Sequence, residues 1–379
     1  MRVALFTNNY LPFRGGVTTA VETLRAGLTS RGHGAWVFAP APSKPHDDPA
    51  YVFRYPSFAA PTYPGFAVAV PWSRRLARVA AGLAPDVVHA QHPFLLGETA
   101  RRLAHRLRRP LVFTYHTRYE KYAHYVPGPT GVVARLAVRL SCRYANRCDL
   151  VVAPSASLAD VLRARGVRSP IAVVPTGVSL DHFRPGDPAA ARRALGLPEA
   201  APLCLYAGRL DREKSVERVL EAFGVIAEAL PAARLLLVGE GSHAAALRQG
   251  AAGAPARGRI EFRGSVAHES LVPFYQAADV FLFASETETQ GLVLAEAHAC
   301  GLPAVAVRAT GVEEVVVDGA TGVLTKADGR ELGDAALALL LDRDRRHALG
   351  VAARRVAEEA FSAGHQVDQM TALYQRLIG

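Results

Sequence analysis

The alternation of short apolar strands with helices, repeated in two halves of the chain, constrains the fold more than any other feature. In the first half, a helix is predicted over residues 18–31, after the loop Arg14-Gly15-Gly16. Strands are predicted at residues 3–7, 35–39, 86–89, 111–114, 150–153 and 171–174. Short β-branched runs separated by helices are typical of a parallel sheet covered by helices on both faces.

The pattern begins again after residues 175–188, which are rich in Pro and Gly and are predicted to link two domains. Later strands are predicted at residues 203–207, 234–238, 260–262, 280–283 and 303–307, and helices at 216–230 and 292–300. A final helix at about 362–377 is expected to cross back to the first domain. The predicted fold is therefore α/β, with two Rossmann-like doubly wound domains, 1–178 (plus about 362–379) and 179–361. A cleft between them would receive ligands at the carboxyl ends of the strands.

Charge is distributed unevenly between these two predicted domains. Residues 1–178 contain 23 Lys and Arg against 8 Asp and Glu, whereas residues 179–379 contain 21 against 26. A basic domain joined to a mildly acidic one indicates that the first faces an anionic partner, either nucleic acid or anionic lipid. The sequence contains no zinc-finger spacing and no RNP-type motif that would support nucleic acid.

The sequence lacks the features of membrane-spanning and metal-binding proteins. Residues 1–10 lack the long apolar core of a signal peptide, and no stretch reaches the roughly 18 to 20 apolar residues of a transmembrane helix. The pair Asp342 and Asp344 has D-x-D spacing but falls in a polar helical connection. The cysteines have no metal-binding spacing, and we expect reduced, buried thiols at Cys142, Cys148, Cys204 and Cys300.

A first chemical motif, Tyr-Ala-Gly-Arg-Leu-Asp-Arg-Glu-Lys at residues 206–214, follows a predicted strand. Gly208 allows the backbone to approach a ligand closely. Arg209 and Lys214 place two cations above the strand ends. They suit a diphosphate, because Arg offers a two-pronged fork and Lys a point charge. A solvated basic loop is the alternative interpretation.

A second motif, at residues 285–303, combines a polar loop with the start of a helix near Gly291. The N–H groups and partial positive charge of a helix start favour phosphate. Glu296 lies more than a turn into the helix, where a carboxylate can reach ribose hydroxyls, and Glu288 lies in the loop, nearer the sugar. Carboxylates there can instead complement the helix dipole, an alternative that applies more to Glu288, since the helix around Glu296 is otherwise apolar.

The pair Glu288 and Glu296, with seven residues between them, resembles the E-x7-E signature of retaining glycosyltransferase family 4, whose members adopt the GT-B fold. The resemblance covers almost the whole chain. Gly15-Gly16 is similar to the family's N-terminal glycine loop, and residues 175–178 are similar to its hinge strand. Residues 238–241 and 262–266 are similar to its nucleotide-side loops. The order and spacing of these matches are more specific than any one of them.

The resemblance implies roles for the donor-binding residues. Arg209 and Lys214 would bind the donor diphosphate, Glu296 would hold the ribose, and Glu288 would hold a hydroxyl of the donor sugar. The other donor-binding residues implied are Gly15, Gly16, Gly208, Gly241, Gly264, Val266, Gly291 and Leu292. His116, at the carboxyl end of a predicted strand, would contact the donor sugar from the acceptor side, although histidines in such places are often structural.

Glycosyl transfer requires stabilisation of the negative charge that develops on the leaving diphosphate. Arg209, Lys214 and the helix start would supply it, so neither a metal ion nor a further cofactor is expected. The resemblance implies attack on the same face of the sugar, with retention, in which a leaving phosphate oxygen helps to take the acceptor's proton. The predicted catalytic residues are His116, Arg209, Lys214 and Glu288.

Residues 114–125 are similar to the corresponding stretch of bacterial diacylglycerol glucosyltransferases in the family, and they include Tyr119 and Tyr122. Arginines then recur every four residues and predict one basic stripe on a helix: Arg135, Arg139, Arg143 and Arg147. Apolar residues lie alongside them: Val132, Val133, Leu136 and Leu140. A basic amphipathic helix suits an anionic leaflet, and a solvated helix face is the alternative.

The sequence thus predicts a retaining hexosyltransferase that moves a sugar from a nucleotide sugar to a membrane lipid such as diacylglycerol. UDP-glucose is favoured as donor by the resemblance alone. The protein is expected in the cytoplasm, peripheral on the inner face of the cell membrane. A GDP-mannose-dependent mannosyltransferase with a phosphatidylinositol-type or soluble acceptor stays open, as does a nucleotide-sugar epimerase of the same fold.

Overall fold

The computed structural model describes residues 1–13, 15–44, 46–60 and 66–379, so Arg14 of the predicted glycine loop lies outside the described residues. The chain forms two compact units. The first comprises Met1–Gly177 and Ala363–Gly379, and the second comprises Val178–Ser362. No helix in the described part of the chain is both long enough and apolar enough to cross a lipid bilayer.

Strands and helices alternate in most of the first unit, but β2 to β5 follow one another without a helix. Its strands are β1 (Arg2–Phe6), β2 (Gly34–Pro40), β3 (Val52–Tyr55), β4 (Ser57–Ala59), β5 (Ala67–Ala69), β6 (Val87–Ala90), β7 (Leu111–Thr114), β8 (Leu150–Ala153) and β9 (Ile171–Val173). Its early helices are α1 (Gly16–Ser30), α2 (Arg74–Gly82), α3 (Leu96–Leu107), α4 (Thr130–Ala145) and α5 (Ala156–Ala164). Seven strands form one parallel sheet in the order β3-β2-β1-β6-β7-β8-β9, while β4 and β5 form a separate antiparallel pair.

The second unit repeats this architecture. Its helices are α6 (Pro188–Ala194), α7 (Val216–Ala229), α8 (Ala244–Gly253), α9 (Val272–Ala277), α10 (Leu292–Ala299), α11 (Gly329–Leu341) and α12 (Arg343–Ala360). Its strands are β10 (Leu203–Ala207), β11 (Arg234–Val238), β12 (Ile260–Gly264), β13 (Val280–Phe283), β14 (Ala304–Val307) and β15 (Gly322–Thr325). They form one parallel sheet in the order β12-β11-β10-β13-β14-β15.

The hydrophobic core of the first unit lies on both faces of its sheet, because alternate residues of a strand point to opposite sides. In β1, Val3 and Leu5 belong to one apolar cluster, whereas Ala4 and Phe6 belong to the other. This two-sided burial explains why the strands are continuous apolar runs and not alternating ones. All the strands predicted from such runs are confirmed to within two residues at each end.

The last helix, α13 (Ala363–Ile378), packs on the first unit, as predicted. Val367 and Tyr374 lie in the apolar cluster that contains Val3 and Leu5. The hydroxyl of Tyr374 lies 2.6 Å from Nδ1 of His89, at the centre of the sheet. The helix therefore completes one face of a sheet whose strands lie far earlier in the chain.

The predicted linker, residues 175–188, is more ordered than its Pro and Gly content indicates. Val178 and Phe183 are buried among core residues of the second unit. The N–H group of Val178 donates to the carbonyl of Phe361 at 2.7 Å, and Pro188 is the first residue of α6. The hinge strand expected at residues 175–178 is absent from this described segment, which forms a single bridge, between Val178 and Ser362. Two apolar side chains thus fix most of the segment to the second unit.

Candidate functional site

In the second unit, three loops meet at the carboxyl ends of β10, β11 and β12. The N–H group of Leu210 donates to the carbonyl of Glu240 at 3.0 Å, and that of Gly239 donates to the carbonyl of Gly264 at 2.8 Å. A Cβ atom on Gly241 would lie 2.5 Å from the carbonyl carbon of Leu210, so the two loops approach as closely as only glycine allows. Carboxyl ends of parallel strands are where doubly wound sheets bind ligands.

These loops contain most of the predicted nucleotide-side residues. Gly208 follows β10 directly, and Gly241 lies in the loop after β11. Gly264 ends β12, and Val266, which is partly buried, follows two residues later. The structure therefore brings residues that are up to 58 positions apart to one end of one sheet.

Arg209 lies in this group of loops and is paired with two carboxylates. Its Nη1 atom donates to Asp211, and its Nη2 atom lies 3.0 Å from Oε1 of Glu213. Both carboxylates are buried, whereas the guanidinium side chain remains 29% exposed. Asp211 and Glu213 were not predicted to be functional residues, although their positions two and four residues after Arg209 are visible in the sequence.

Lys214 pairs with Glu288, whose loop follows β13. The Nζ atom of Lys214 lies 2.5 Å from Oε1 of Glu288. Burial would raise the pKa of Glu288, but the charge and hydrogen bond of Lys214 outweigh it and hold the pKa below its usual value. Glu288 is therefore an ionised carboxylate at neutral pH, beside a cation that the sequence also predicted to belong to the site.

Glu296 is buried on α10, and both its carboxylate oxygens accept hydrogen bonds. Nε2 of His268 lies 2.8 Å from Oε1, and the hydroxyl of Tyr275 lies 2.8 Å from Oε2. Burial, together with Glu296, raises the pKa of Tyr275 well above its usual value, so this hydroxyl stays protonated and donates. His268 and Tyr275 lie 28 and 21 residues before Glu296, and no local spacing identifies them.

The start of α10 lies beside Glu288. Gly291 caps this helix with a φ of +80°, a left-handed conformation that favours glycine, and Leu292 is the first helical residue. The first turn of any α-helix leaves backbone N–H groups without intrahelical partners and carries a partial positive charge. This arrangement agrees with the predicted position of a helix start near the carboxylate loop.

In the first unit, His116 follows β7 at the carboxyl end of the strand. Its Nε2 atom lies 2.7 Å from Oε1 of Gln91, which follows β6. Burial lowers the pKa of His116 to about 4, so the ring is neutral at physiological pH. Two neighbouring histidines, His89 and His92, are also buried, and burial lowers the pKa of each to about 3.

Gly15 and Gly16 lie at the start of α1, which follows β1. Gly15 caps the helix and its carbonyl accepts from the N–H group of Thr19 at 3.0 Å; Gly16 is the first helical residue. The predicted glycine loop is thus a helix start, the same local feature that the second unit presents at Gly291.

Tyr119 and Tyr122 lie in a short 3₁₀ segment, Tyr119–Tyr125. The ring of Tyr119 packs edge-on against Phe94 and Tyr115, and its hydroxyl is buried. Tyr122 is partly exposed and stacks with Tyr125. Both predicted acceptor-side tyrosines are therefore partly exposed, but the hydroxyl group of Tyr119 is not accessible.

The predicted basic stripe lies on α4 for three of its four members. Arg135, Arg139 and Arg143 are exposed on the helix, whereas Arg147 is exposed beyond its end at Ala145. Apolar side chains also recur every four residues and are exposed: Val132 (55%), Leu136 (51%) and Leu140 (41%). At 100° per residue, the arginine row lies about 60° around the helix from the apolar row, so α4 is amphipathic towards solvent.

All four cysteines are free and buried, as predicted.

Among the described residues, no group of three or more His, Cys, Asp or Glu side chains is arranged to hold a metal ion. Asp342 caps α12 by accepting from the N–H group of Arg345 at 2.9 Å, a structural role for the first carboxylate of the D-x-D spacing.

Comparison with family models matches both halves of the chain. Residues 14–182 match Glycosyltransferase Family 4, and residues 188–356 match Glycosyl transferases group 1. The chain is 30% identical over 337 residues to the alpha-monoglucosyldiacylglycerol synthase of Acholeplasma laidlawii, covering 85% of this chain and 84% of that protein. It is 32% identical over 365 residues to a GDP-mannose-dependent alpha-mannosyltransferase of Mycobacterium tuberculosis, covering 94% and 91%.

Solved structures share the whole fold. The crystal structure of Anabaena HepE in complex with UDP-glucose superimposes with a TM-score of 0.81 over 100% of both chains, at 20% sequence identity. At that identity the likeness concerns the fold alone. It confirms the predicted GT-B class, with two Rossmann-like units.

Proposed function

The chain is a glycosyltransferase of the GT-B type that belongs to glycosyltransferase family 4, and from this premise we propose that it glucosylates a membrane lipid. The donor is UDP-glucose, and the acceptor is the hydroxyl group of a lipid such as diacylglycerol. The new bond retains the anomeric configuration of the donor. One observation carries the proposal: Arg209, Lys214, Glu288 and the start of α10 are gathered at the carboxyl ends of one parallel sheet.

The cations of this group suit the leaving diphosphate. Negative charge develops there as the bond to the sugar breaks, and preorganised cations and helix N–H groups stabilise it most effectively in a site that excludes water. Lys214 is largely buried and lies against Glu288, so its ammonium group would lie between the diphosphate and the sugar. Glu288, held ionised, would accept a hydrogen bond from a sugar hydroxyl.

The nucleoside would occupy the loops after β11 and β12. Glu296 would accept hydrogen bonds from ribose hydroxyls, because its carboxylate is fixed by His268 and Tyr275 while each oxygen keeps further acceptor capacity. Gly241, Gly264 and Val266 would frame the base. Glucose and uridine diphosphate are supported by the name of the Acholeplasma laidlawii relative and by the ligand of the Anabaena structure.

His116 would act on the acceptor side of the first unit. Its neutral ring suits a hydrogen bond to a sugar or acceptor hydroxyl, since a charged imidazolium would oppose the positive charge that develops on the sugar.

No metal ion is needed in this scheme, because Arg209 and Lys214 neutralise the diphosphate. Activity should therefore persist in excess EDTA.

The exposed face of α4 would bind the anionic inner leaflet of the cell membrane. Arg135, Arg139 and Arg143 would contact lipid phosphates, and the adjacent apolar row would enter the headgroup region. Burying an apolar side chain contributes about 1.5 to 3 kcal/mol, so three of them add to what the arginines supply. The basic composition of residues 1–178 acts in the same direction.

A second candidate is a mannosyltransferase that uses GDP-mannose. The observation in its favour is the 32% identity with the Mycobacterium tuberculosis relative, over 94% of the chain. The diphosphate and sugar residues would serve both donors equally. The two candidates differ in the base and in the sugar, so a product measurement separates them.

The test is mass spectrometry of lipid products. The purified chain is mixed with anionic vesicles that contain diacylglycerol, and UDP-glucose and GDP-mannose are offered separately. We expect diacylglycerol to gain one hexose from UDP-glucose, with Glu288→Gln as an inactive control. A hexosyl lipid formed from GDP-mannose alone would favour the second candidate. Release of nucleotide without glycolipid would contradict the lipid acceptor and keep the donor site.

A further inference from the structure

Two buried carboxylates hold Arg209, and the donor scheme above gives them no role. Asp211 accepts from Nη1 of Arg209, and Glu213 accepts from Nη2 at 3.0 Å. The side chain of Asp211 is completely buried and that of Glu213 is 2% exposed. Buried carboxylates are costly unless they are paired, so the position of Arg209 is strongly tied to theirs.

Asp211 also binds a second loop. Its other oxygen, Oδ1, accepts from both the backbone N–H group and the hydroxyl of Ser242, each at 2.7 Å. Ser242 directly follows Gly241, in the loop after β11. A single carboxylate thus connects the cation of the first motif to a loop on the nucleotide side.

We propose that Asp211 and Glu213 are positioning residues that fix the guanidinium group of Arg209 in the orientation in which it binds the donor diphosphate. The inference rests on the proposed function, because it assumes that Arg209 meets the diphosphate. An unrestrained arginine loses rotamer freedom when it binds a ligand, whereas a clamped one has lost it already. The exposed part of the guanidinium group is the part that a phosphate can reach.

The same contacts allow an opposite effect. Two carboxylates beside a diphosphate site bring negative charge close to a negative ligand, and they occupy N–H groups that the ligand also needs. If the carboxylates mainly compete with the ligand for Arg209, removal of a carboxylate tightens nucleotide binding. If the carboxylates mainly hold Arg209 in its binding orientation, removal of a carboxylate weakens nucleotide binding. The sign of the change in affinity therefore decides between the two.

The experiment compares Asp211→Asn and Glu213→Gln with the wild-type full chain by isothermal titration calorimetry. The ligands are UDP and uridine, or GDP and guanosine if the wild-type chain binds GDP. We expect each substitution to weaken nucleoside diphosphate binding about tenfold, as for loss of a charge-assisted hydrogen bond. Nucleoside affinity should change less than twofold, because only the diphosphate meets Arg209. Unchanged or tighter diphosphate binding in both variants would overturn the inference.

Two further variants make the result specific. If Arg209→Ala leaves diphosphate affinity unchanged, the donor site itself is wrong; if it weakens binding while the carboxylate variants do not, only the positioning role fails. Asp279→Asn is the matched control, since Asp279 likewise accepts from an arginine, Arg192 at 2.7 Å, and from a backbone N–H group, that of Leu203 at 2.8 Å. Leu203 begins β10, at the end of the strand opposite the site. This control should lower Tm and leave the ratio of the two affinities unchanged.

Discussion

The ammonium group of Lys214 lies 2.5 Å from a carboxylate oxygen of Glu288, although 74 residues separate them in the chain. The contact joins the loop after β10 to the loop after β13, and these strands are neighbours in the sheet. It pairs one of the two cations expected to bind the diphosphate with the carboxylate expected to bind the sugar. Loss of either partner removes a direct charge contact from a largely buried pair.

Lys214→Ala should therefore reduce turnover by about a hundredfold or more, the effect of removing one preorganised charge from a transition state. Initial rates of glycolipid formation at saturating donor measure it. Lys326→Ala is the control, because Lys326 is an exposed lysine of the same unit. Near-normal turnover of the Lys214 variant would rule out this diphosphate site.

Tyr275→Phe should raise the KM for the donor about three- to tenfold and leave kcat almost unchanged, because one hydrogen bond that orients Glu296 is lost. Steady-state kinetics with varied nucleotide sugar provide the measurement. Tyr115→Phe is a matched control, since it removes a buried hydroxyl that contacts Ser141 at 2.8 Å in the other unit. An equal rise in the KM for the donor in both variants would mean a general loss of stability.

Stability should fall in acid because histidines are buried in the neutral form. Burial lowers the pKa of His298, on α10, to about 4, and neither ring nitrogen has a hydrogen-bond partner among the described residues. Its pKa in the unfolded chain is about 6.5. Between these values the unfolded state binds more protons, so stability is lost as pH falls, at up to about 1.4 kcal/mol per pH unit for each such histidine.

His298→Leu should remove one of these contributions and the unpaired ring nitrogens together. We expect the variant to match or exceed the wild-type stability at pH 7, and to lose less of it between pH 6.5 and 4.5. Urea unfolding at several pH values measures this difference. If the free energies of unfolding of the variant and the wild type differ by the same amount at every pH, His298 does not titrate in this range.

Replacing the four arginines Arg135, Arg139, Arg143 and Arg147 with Gln should weaken sedimentation with anionic vesicles, each arginine contributing about 1 kcal/mol at low salt. Exposed arginines of the second unit supply the control set for the same change: Arg330, Arg343, Arg345 and Arg355. Because ionic attraction is screened by salt, the effect should shrink at high ionic strength. Equal sedimentation of wild type and variant at low salt would show that the stripe is only a solvated helix face.

The strand positions were predictable because each strand is a continuous apolar run between turn residues, and β7, β8, β10, β11 and β13 have the predicted bounds. The pair β4 and β5 was not predicted, since each strand is three residues long and only β5 has a buried side chain. Composition also misled at residues 175–188, where Val178 and Phe183 outweigh the surrounding Pro and Gly. The amino-acid composition of a segment does not show which of its side chains will be buried against distant parts of the chain.

The candidate site was predictable only where one residue type implies one chemistry. Arg209 and Lys214 follow a strand and are cations, so a diphosphate site could be inferred before any contact was known. The partners of Glu296 could not be predicted, because Tyr275 on α9 and His268 in the segment before α9 reach Glu296 only through tertiary packing. Arg147 likewise keeps the four-residue spacing of the stripe but lies beyond the end of α4.

The contact between Tyr374 and His89 has a consequence for biosynthesis. A ribosome completes all of the second unit before it reaches α13, yet α13 covers the face of the first sheet that contains Val3 and Leu5. Nascent domains commonly fold in order from the N-terminus. Here the unit that begins first is completed last, so the part of its apolar face that Val367, Met370 and Tyr374 cover stays exposed during synthesis of Val178–Ser362.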